Sequence, residues 1–190
     1  QLLAGTRNAA DAIDRFQRGI AGRLDVGTFQ SVSAQLLPRV ISRLRAESPA
    51  ADLRVFEEET GVARLLSGEL DCSFTLHTDD DRFETLTIID DPYVLVAQRG
   101  EFPPGPVPLD RLDGLPMVVL PNTCGYDVLD QQLTAHQIAP VPVFESGDNG
   151  TVIAMVRAGM GPAIIGLLCV DLKVDDPDLT VHELTPSVTP

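Results

Sequence analysis

The sequence predicts an α/β protein built from two βα units, and two observations support this prediction. Short segments with the apolar alternation of strands recur along the chain, and most are followed by apolar residues at helical spacing. A stretch rich in proline and glycine, Gly100–Pro116, separates the two βα patterns. With 190 residues, of which 44% are hydrophobic, the chain is long enough to bury a core in one or two compact units.

The composition argues against several classes of protein. A formal net charge of −14 repels phosphate backbones, so the chain as given is expected to bind nucleic acid poorly by itself. The three cysteines, Cys72, Cys124 and Cys169, lack C-x-x-C spacing and are too few for a disulfide framework, which favours a reduced cytoplasm. No apolar run is long enough to cross a membrane, and Gln1–Gly22 carries charges that a signal peptide lacks.

The first segment, Gln1–Ile20, predicts a helix with a ragged apolar stripe. This helix precedes the first strand and has no partner in its own sequence neighbourhood. Two interpretations stay open. The helix packs back on the domain, or it is a connector or dimerisation helix whose N-terminal neighbour is absent.

The first βα unit begins with a strand over Gly22–Val26, a polar loop and a helix over Ser33–Glu47. Pro38 is expected to kink this helix or to mark its true start. Ser31 and Ser33 are the candidate N-caps, because a hydroxyl oxygen there can accept an orphan backbone N–H. A helix N-terminus at the end of a strand also suits a small polar or anionic ligand.

The unit continues with a strand, a short helix closed near Gly68, and three further strands. In this order they are predicted over Asp52–Phe56, Val62–Leu66, Leu70–Leu76, Leu86–Ile89 and Tyr93–Ala97. Cys72 falls in the third strand and is expected to be a small buried residue. The polar run His77–Asp81 is expected to be a solvated turn rather than a metal site.

The second unit repeats the βα pattern and ends in a short tail. Strands and helices alternate over Met117–Leu120, Asp127–Ile138, Pro142–Glu145, Thr151–Ala158 and Ala163–Ile165. Val128, Leu129 and Leu133 are expected to face inward from the first of these helices. The tail, Leu167–Pro190, is too small to fold alone and is expected to return to the first half. Two such lobes with facing strand ends would leave a cleft between them.

Four motifs occur in order along the chain: Arg23-Leu24-Asp25-Val26-Gly27, Leu36-Leu37-Pro38, Gly68-Glu69-Leu70-Asp71 and Val156-Arg157-Ala158-Gly159-Met160-Gly161. With these motifs, the chain from about Gly22 onward resembles the effector-binding domain of LysR-type transcriptional regulators. The resemblance implies a periplasmic-binding-protein-like fold with two crossovers. Residues 1–21 would be the end of a linker helix, residues 22–94 with 164–190 regulatory subdomain I, and residues 95–163 subdomain II.

The resemblance also implies a function and partners. A small-molecule inducer would bind in the interdomain cleft, the chains would form homodimers or homotetramers, and DNA would be bound only through an N-terminal domain that is absent here. No catalytic constellation, phosphate loop or cofactor motif is apparent, so neither enzymatic activity nor a cofactor or metal is expected. The alternative is a free-standing solute-binding protein or an enzyme on the same fold.

The predicted ligand contacts lie on loops and helix starts that follow strands. They are Phe29, Gln30, Ser31, Ser33, Thr60, Asn122, Thr123, Cys124, Gly147, Asp148 and Asn149. The resemblance gives Ser31 the hydroxyl that contacts the effector, which leaves Ser33 as the better structural cap. Asp148 or Asn149 has an alternative role as the cap of the next helix. Cys124 has a second interpretation as a redox sensor.

Two features of the predicted cleft stay open. A carboxylate is among the expected effectors, but Glu57–Glu59 and Asp148 would disfavour an anion if they faced the cleft. Gly166 stands where the family pattern often has proline, and Pro162 lies earlier, so the backbone is expected to differ at a pocket wall.

Overall fold

The structure, a computed structural model, describes residues 22–57, 61–76, 80–121, 123, 125–170 and 176–189. The predicted helix Gln1–Ile20 lies outside the described residues. The chain divides into two compact units, Gln1–Thr75 and Leu76–Pro190. Each unit is mixed α/β, as predicted.

The first unit is built on a parallel sheet with the strand order β2-β1-β3. Its elements are β1 (Arg23–Thr28), α1 (Gln30–Gln35), α2 (Leu37–Glu47), β2 (Asp52–Glu57), α3 (Val62–Ser67) and β3 (Cys72–Ser73). Helix α3 ends at Gly68, whose φ of 72° is left-handed, as the C-terminal glycine predicted. Because the strands are parallel, their carboxyl ends lie along one edge of the sheet.

The predicted first helix is two helices with a break at Leu36. The break lies where Pro38 takes the second position of α2, which confirms that the proline marks a new helix start. The N-cap assignments are wrong, because helix α1 begins earlier than predicted: the Ser33 amide already donates to the Phe29 carbonyl at 2.9 Å. Phe29 is the N-cap residue, and no side chain caps this helix.

The third strand is shorter than predicted. Only Cys72–Ser73 pairs with β1, and β3 lies at the edge of the sheet. Cys72 is therefore exposed rather than buried, which corrects the prediction. The predicted strand Leu86–Ile89 is also wrong: this segment is irregular, and Leu86 is 84% exposed. Its alternation is that of a strand, but no strand pairs with it within the described residues.

The second unit contains a four-stranded sheet with the order β5-β9-β4-β8. Strands β4 (Tyr93–Gln98), β5 (Val107–Pro108) and β6 (Pro116–Val119) are followed by α4 (Tyr126–Ala135), β7 (Val141–Glu145), α5 (Asn149–Arg157), β8 (Ala163–Gly166) and β9 (Leu179–Thr185). Short 3-10 helices lie over Leu109–Leu112 and Leu167–Cys169. The continuous apolar run of β4 is buried on both faces, since Tyr93 and Leu95 pack into one core cluster and Val94 and Val96 into another.

Strands β6 and β7 form a separate parallel pair flanked by α4 and α5. Leu129 and Leu133 are buried as predicted, whereas Val128 is 36% exposed, so its inward placement is wrong. None of the helices in the described part of the chain combines the length and apolar character that crossing a membrane requires.

The grouping of the last strands differs from the predicted division, which placed residues 164–190 with subdomain I. Strands β8 and β9 both hydrogen bond to β4 in antiparallel ladders, and they therefore belong to the unit Leu76–Pro190. Periodicity predicted β8 as a strand but gave no information about which strand it would pair with.

Candidate functional site

The strongest candidate site in the first unit lies where β1 ends and α1 begins. Thr28 is 1% exposed and Ser31 is 5% exposed, although both carry hydroxyl groups. Val32 is buried beside them and anchors the short helix in the core. The local fold therefore places two polar side chains out of water at the carboxyl edge of the sheet.

The Ser31 hydroxyl is the unusual member of this pair. Within the part of the chain that the structure describes, it has no hydrogen-bond partner, and Ser31 does not cap the helix. Burying a hydroxyl without a partner costs roughly 1–3 kcal/mol. Buried polar groups are nearly always satisfied, so such a group calls for a partner such as a ligand or an ordered water.

The other hydroxyls of this loop are only weakly engaged. The Ser33 hydroxyl lies 3.5 Å from Thr28 Oγ1, and Thr28 Oγ1 lies 3.4 Å from the Phe29 carbonyl oxygen. These distances are at the limit of hydrogen bonding. Phe29 and Gln30 are half-buried on the same turn, and Thr60 lies outside the described residues. Four predicted site residues of the first unit thus lie together on one turn.

In the second unit, two loops meet at the carboxyl edge of the β6–β7 pair. The Ser146 amide donates to the Val119 carbonyl at 3.2 Å, which ties the start of one loop to the end of the neighbouring strand. Thr123 lies on the first loop, and Gly147, Asp148 and Asn149 follow Ser146 on the second. Asn122 and Cys124, with the redox interpretation of Cys124, lie outside the described residues.

Several polar groups of these loops already have structural partners. The Thr123 hydroxyl donates to the Leu120 carbonyl at 3.0 Å. Asp148 caps α5, because its Oδ1 accepts from the Thr151 amide at 2.7 Å and from the Thr151 hydroxyl at 2.6 Å. This confirms Asp148 as the cap of that helix. Gly147 is exposed, and no atom lies within 4 Å of a Cβ built on it.

One residue that sequence analysis missed shapes the first of these loops. The Tyr93 hydroxyl donates to the Gly125 carbonyl at 2.7 Å. Gly125 has a φ of 91°, and a Cβ built on it would lie 2.5 Å from the Tyr93 oxygen. A glycine is therefore required before α4 both for its backbone conformation and for the approach of the phenol. Tyr93 appeared in the sequence only as a strand residue, and no local signal indicated this contact.

A second missed feature is the burial of Asp25 in the middle of β1. Asp25 as a whole residue is 3% exposed. Its carboxylate receives hydrogen bonds from Arg23 and Arg54. The hydrogen bond from Arg54 is the main reason why the pKa of Asp25 is lowered; burial opposes this effect, and the charge of Arg23 adds to it. The group is held by its own neighbours, so it is structural.

A metal site is not indicated by the described side chains. No group of three or more His, Cys, Asp or Glu side chains in the described ranges is placed to hold a metal ion. The chemistry available at the two loop sites is hydrogen bonding from hydroxyls and backbone amides. This chemistry suits a small polar ligand.

The chain is similar to known proteins over most of its length. The family model of the LysR substrate binding domain matches residues 17–190. The Transcriptional activator protein LysR of Escherichia coli (strain K12) is 29% identical over 175 residues, which cover 85% of this chain and 53% of that protein. The chain thus spans about half the length of the curated relatives it matches.

Two solved structures illustrate the likeness in fold. HinK, a LysR family transcriptional regulator from Pseudomonas aeruginosa, superposes with a TM-score of 0.77 at 22% identity, covering 97% of this chain and 67% of HinK. The regulatory domain of CcmR from Synechocystis PCC6803, in complex with 2-PG, gives a TM-score of 0.73 at 16% identity, covering 87% and 82% of the two chains. These likenesses confirm the predicted α/β fold of the periplasmic-binding-protein-like type.

Proposed function

The chain belongs to the LysR substrate binding domain family, and from this premise we propose that it is the effector-sensing regulatory domain of a transcriptional regulator. It binds a small-molecule inducer and does not catalyse a reaction. Its relatives are transcriptional regulators, which supports this assignment over an enzyme or a free-standing solute-binding protein. We place the protein in the cytoplasm, where such a regulator meets both metabolites and DNA.

The observation that carries the proposal is the Ser31 hydroxyl, which is buried and has no partner among the described residues. An effector that accepts or donates one hydrogen bond there would remove the cost of this burial. Phe29, Gln30 and Ser33 lie on the same turn and complete the proposed contact surface of the first unit.

The second unit contributes Thr123, Gly147, Asp148 and Asn149 to the proposed contacts. The Thr123 hydroxyl and the Asp148 carboxylate have structural partners, and the Asp148 amide donates to the Ser146 hydroxyl at 3.1 Å, so an effector would have to share or replace these hydrogen bonds. Thr60, Asn122 and Cys124 stay in the proposed set on the strength of the sequence alone. The set contains no Arg or Lys side chain, so recognition rests on hydroxyls and amides.

A small carboxylic acid is the effector class we test first. Hydroxyls and backbone N–H groups are suitable donors to a carboxylate, and the structure of the CcmR regulatory domain is a complex with a small molecule, 2-PG. The proposed regulator acts as a homodimer or homotetramer and binds DNA through a further N-terminal domain. The effector can change DNA binding only by favouring one of two conformations of the assembly.

The binding test uses thermal melting of this chain with benzoate, succinate and 2-PG as probes. A probe present at 100 times its Kd should stabilise the fold by about 2.7 kcal/mol. Ser31→Ala should remove most of that stabilisation, whereas Ser42→Ala, the same change on an exposed face of α2, should leave it intact. Equal binding by the two variants would exclude Ser31 from the site.

The regulatory part needs its own measurement. The coding sequence upstream of Gln1 should encode a helix-turn-helix domain, and a secretion signal in that place would contradict the proposal. With the longer protein, a probe that binds the wild type should change its affinity for promoter DNA, and Ser31→Ala should abolish this response. DNA affinity that is insensitive to a bound probe would separate ligand binding from regulation.

A further inference from the structure

The connection that leaves β8 is held at its start by a carboxylate from another part of the chain. Asp91 lies immediately before Pro92 and β4, and its Oδ1 accepts a hydrogen bond from the Leu168 amide at 2.6 Å. The Leu167 amide donates to the Pro92 carbonyl at 2.9 Å beside it. Two adjacent hydrogen bonds therefore attach the 3-10 helix Leu167–Cys169 to the start of β4.

The second oxygen of the same carboxylate fills the space beside Gly166. A Cβ built on Gly166 would lie 2.8 Å from Asp91 Oδ2, closer than real Cβ atoms approach. The backbone of Gly166 has φ −59° and ψ 142°, which every residue type can adopt. A side chain at position 166 is thus opposed by the Asp91 carboxylate, which its hydrogen bond to Leu168 holds in place, and not by the dihedral angles of Gly166.

The surroundings of the carboxylate support an internal role. Burial raises the pKa of Asp91, and the hydrogen bond from Leu168 acts in the opposite direction. A charged group that is partly removed from water is costly unless its hydrogen bonds compensate. The neighbouring Asp90 is exposed and offers a matched acidic residue for comparison.

We propose that Asp91 is a positioning residue that latches the segment Gly166–Cys169 to the start of β4, and so fixes where the chain leaves the β4–β8 ladder on its way to β9. Asp91 Oδ1 accepts the hydrogen bond from the Leu168 amide, and Asp91 Oδ2 occupies the space beside Gly166. This latch does not depend on the identity of the effector, so its test stands apart from that of the proposed function.

Proline at position 166 provides a test specific to this mechanism. The Tyr93 amide donates to Val188 on the other side of β4, so Tyr93 and Gly166 form a non-hydrogen-bonded pair. The Gly166 amide therefore donates no hydrogen bond to β4, so its loss in proline would not break the ladder. The φ of Gly166, −59°, matches that of proline. Gly166→Pro would rigidify the segment but would bring a ring against the Asp91 carboxylate.

The experiment combines amide hydrogen exchange with thermal melting of the whole chain. Asp91→Ala should speed exchange of the Leu168 amide by about tenfold or more, while Asp90→Ala should leave it unchanged. Gly166→Pro should lower the Tm of the wild type, and it should raise the Tm of Asp91→Ala, because the ring then restrains the segment without a clash.

Each outcome decides the proposal. If Asp91→Ala does not fold, Asp91→Asn replaces it: an amide oxygen accepts a weaker hydrogen bond than a carboxylate, so Leu168 should still exchange faster than in Asp90→Ala. The proposal is overturned by unchanged Leu168 exchange in the Asp91 variant. It is equally overturned if Gly166→Pro shifts the Tm in the same direction with and without Asp91, since a role limited to general packing would give that result.

Discussion

Arg54 holds both carboxylate oxygens of Asp25 from the neighbouring strand. Its Nε lies 2.6 Å from Oδ1 and its Nη2 3.1 Å from Oδ2, across the register in which Asp25 faces Arg54. Arg23 reaches the same carboxylate at 2.9 Å. The buried acid is therefore satisfied by two guanidinium groups that are themselves about half exposed. This arrangement gives the central strand of the first unit a charged link to β2.

Replacing Asp25 by asparagine should destabilise the protein. The change keeps the size of the side chain but removes the charge that two arginines contact, and we expect a loss of about 1–2 kcal/mol in the free energy of unfolding. Urea denaturation measures the loss. Asp130→Asn, the same substitution on an exposed position of α4, should change stability by less than about 0.5 kcal/mol. A loss of the same size in both variants would contradict a specific role of the Asp25 link.

The stabilising effect of Asp25 should also depend on pH. Because its pKa is lowered in the folded chain, its contribution is complete above the unfolded-state pKa of about 3.9 and is lost as pH falls through the folded-state value. The stability difference between the wild type and Asp25→Asn should be constant from about pH 7 to pH 5 and should shrink by pH 3. Denaturation curves at these pH values provide the measurement. A difference that grows in acid would have the wrong sign for a lowered pKa.

Local patterns in the sequence predicted most of the strands and helices of this fold. The predicted strand Ala163–Ile165, the glycine that ends α3 and the proline that starts α2 each act through neighbours in sequence, so their signals are local. Pairing between distant strands leaves no such signal. For this reason the partners of β8 and β9 were not predicted, and the exposure of Cys72 at a sheet edge was not predicted correctly.

The sequence predicted the strand-to-helix connections of the candidate site but not the contacts made there. A loop between strand and helix identified Ser31 and Asp148, since both follow strands. The burial of Asp25 was not predicted, because a polar residue in an alternating strand suggests an exposed face. Its burial depends on the hydrogen bond from Arg54 on β2, which is distant in sequence. The role of Tyr93 was not predicted, because its hydroxyl donates to Gly125, which is distant in sequence.

Gly161 should tolerate substitution far less than Gly114, although both have positive φ. Gly161 has φ +139°, and a Cβ on it would lie 2.5 Å from the Pro116 carbonyl oxygen, whereas Gly114 has φ +67° and open space around it. Gly114→Ala should therefore cost only about 1 kcal/mol of backbone strain, while Gly161→Ala should cost on the order of 3 kcal/mol or more. Chemical denaturation of the two alanine variants gives the comparison, and equal losses would show that the contact with Pro116 relaxes freely.

Asp148→Ala should destabilise the protein by about 1 kcal/mol, because the α5 N-cap loses its side-chain acceptor. Asp148→Asn keeps an acceptor oxygen and should retain most of the stability. Asp127→Ala, in the first turn of α4, removes an acid that does not cap its helix and should cost only a few tenths of a kcal/mol. Thermal melting of the three variants checks these values. If Asp148→Asn melts normally but loses binding of a probe, Asp148 has a ligand role beyond capping.

Ser31→Ala should stabilise the protein in the absence of ligand, in contrast to Asp148→Ala. Its hydroxyl is buried without a partner among the described residues, so removing it abolishes an unfavourable burial instead of a favourable contact. Ser42→Ala corrects for the higher helix propensity of alanine, because Ser42 lies on an exposed helix face. Ser31→Ala should raise the free energy of unfolding by about 1 kcal/mol more than Ser42→Ala does, as measured by urea denaturation without ligand. A residue whose removal stabilises the empty fold and weakens binding is retained for binding. Destabilisation of the empty protein by Ser31→Ala would mean that the hydroxyl serves the fold, and the main support for the ligand site would be lost.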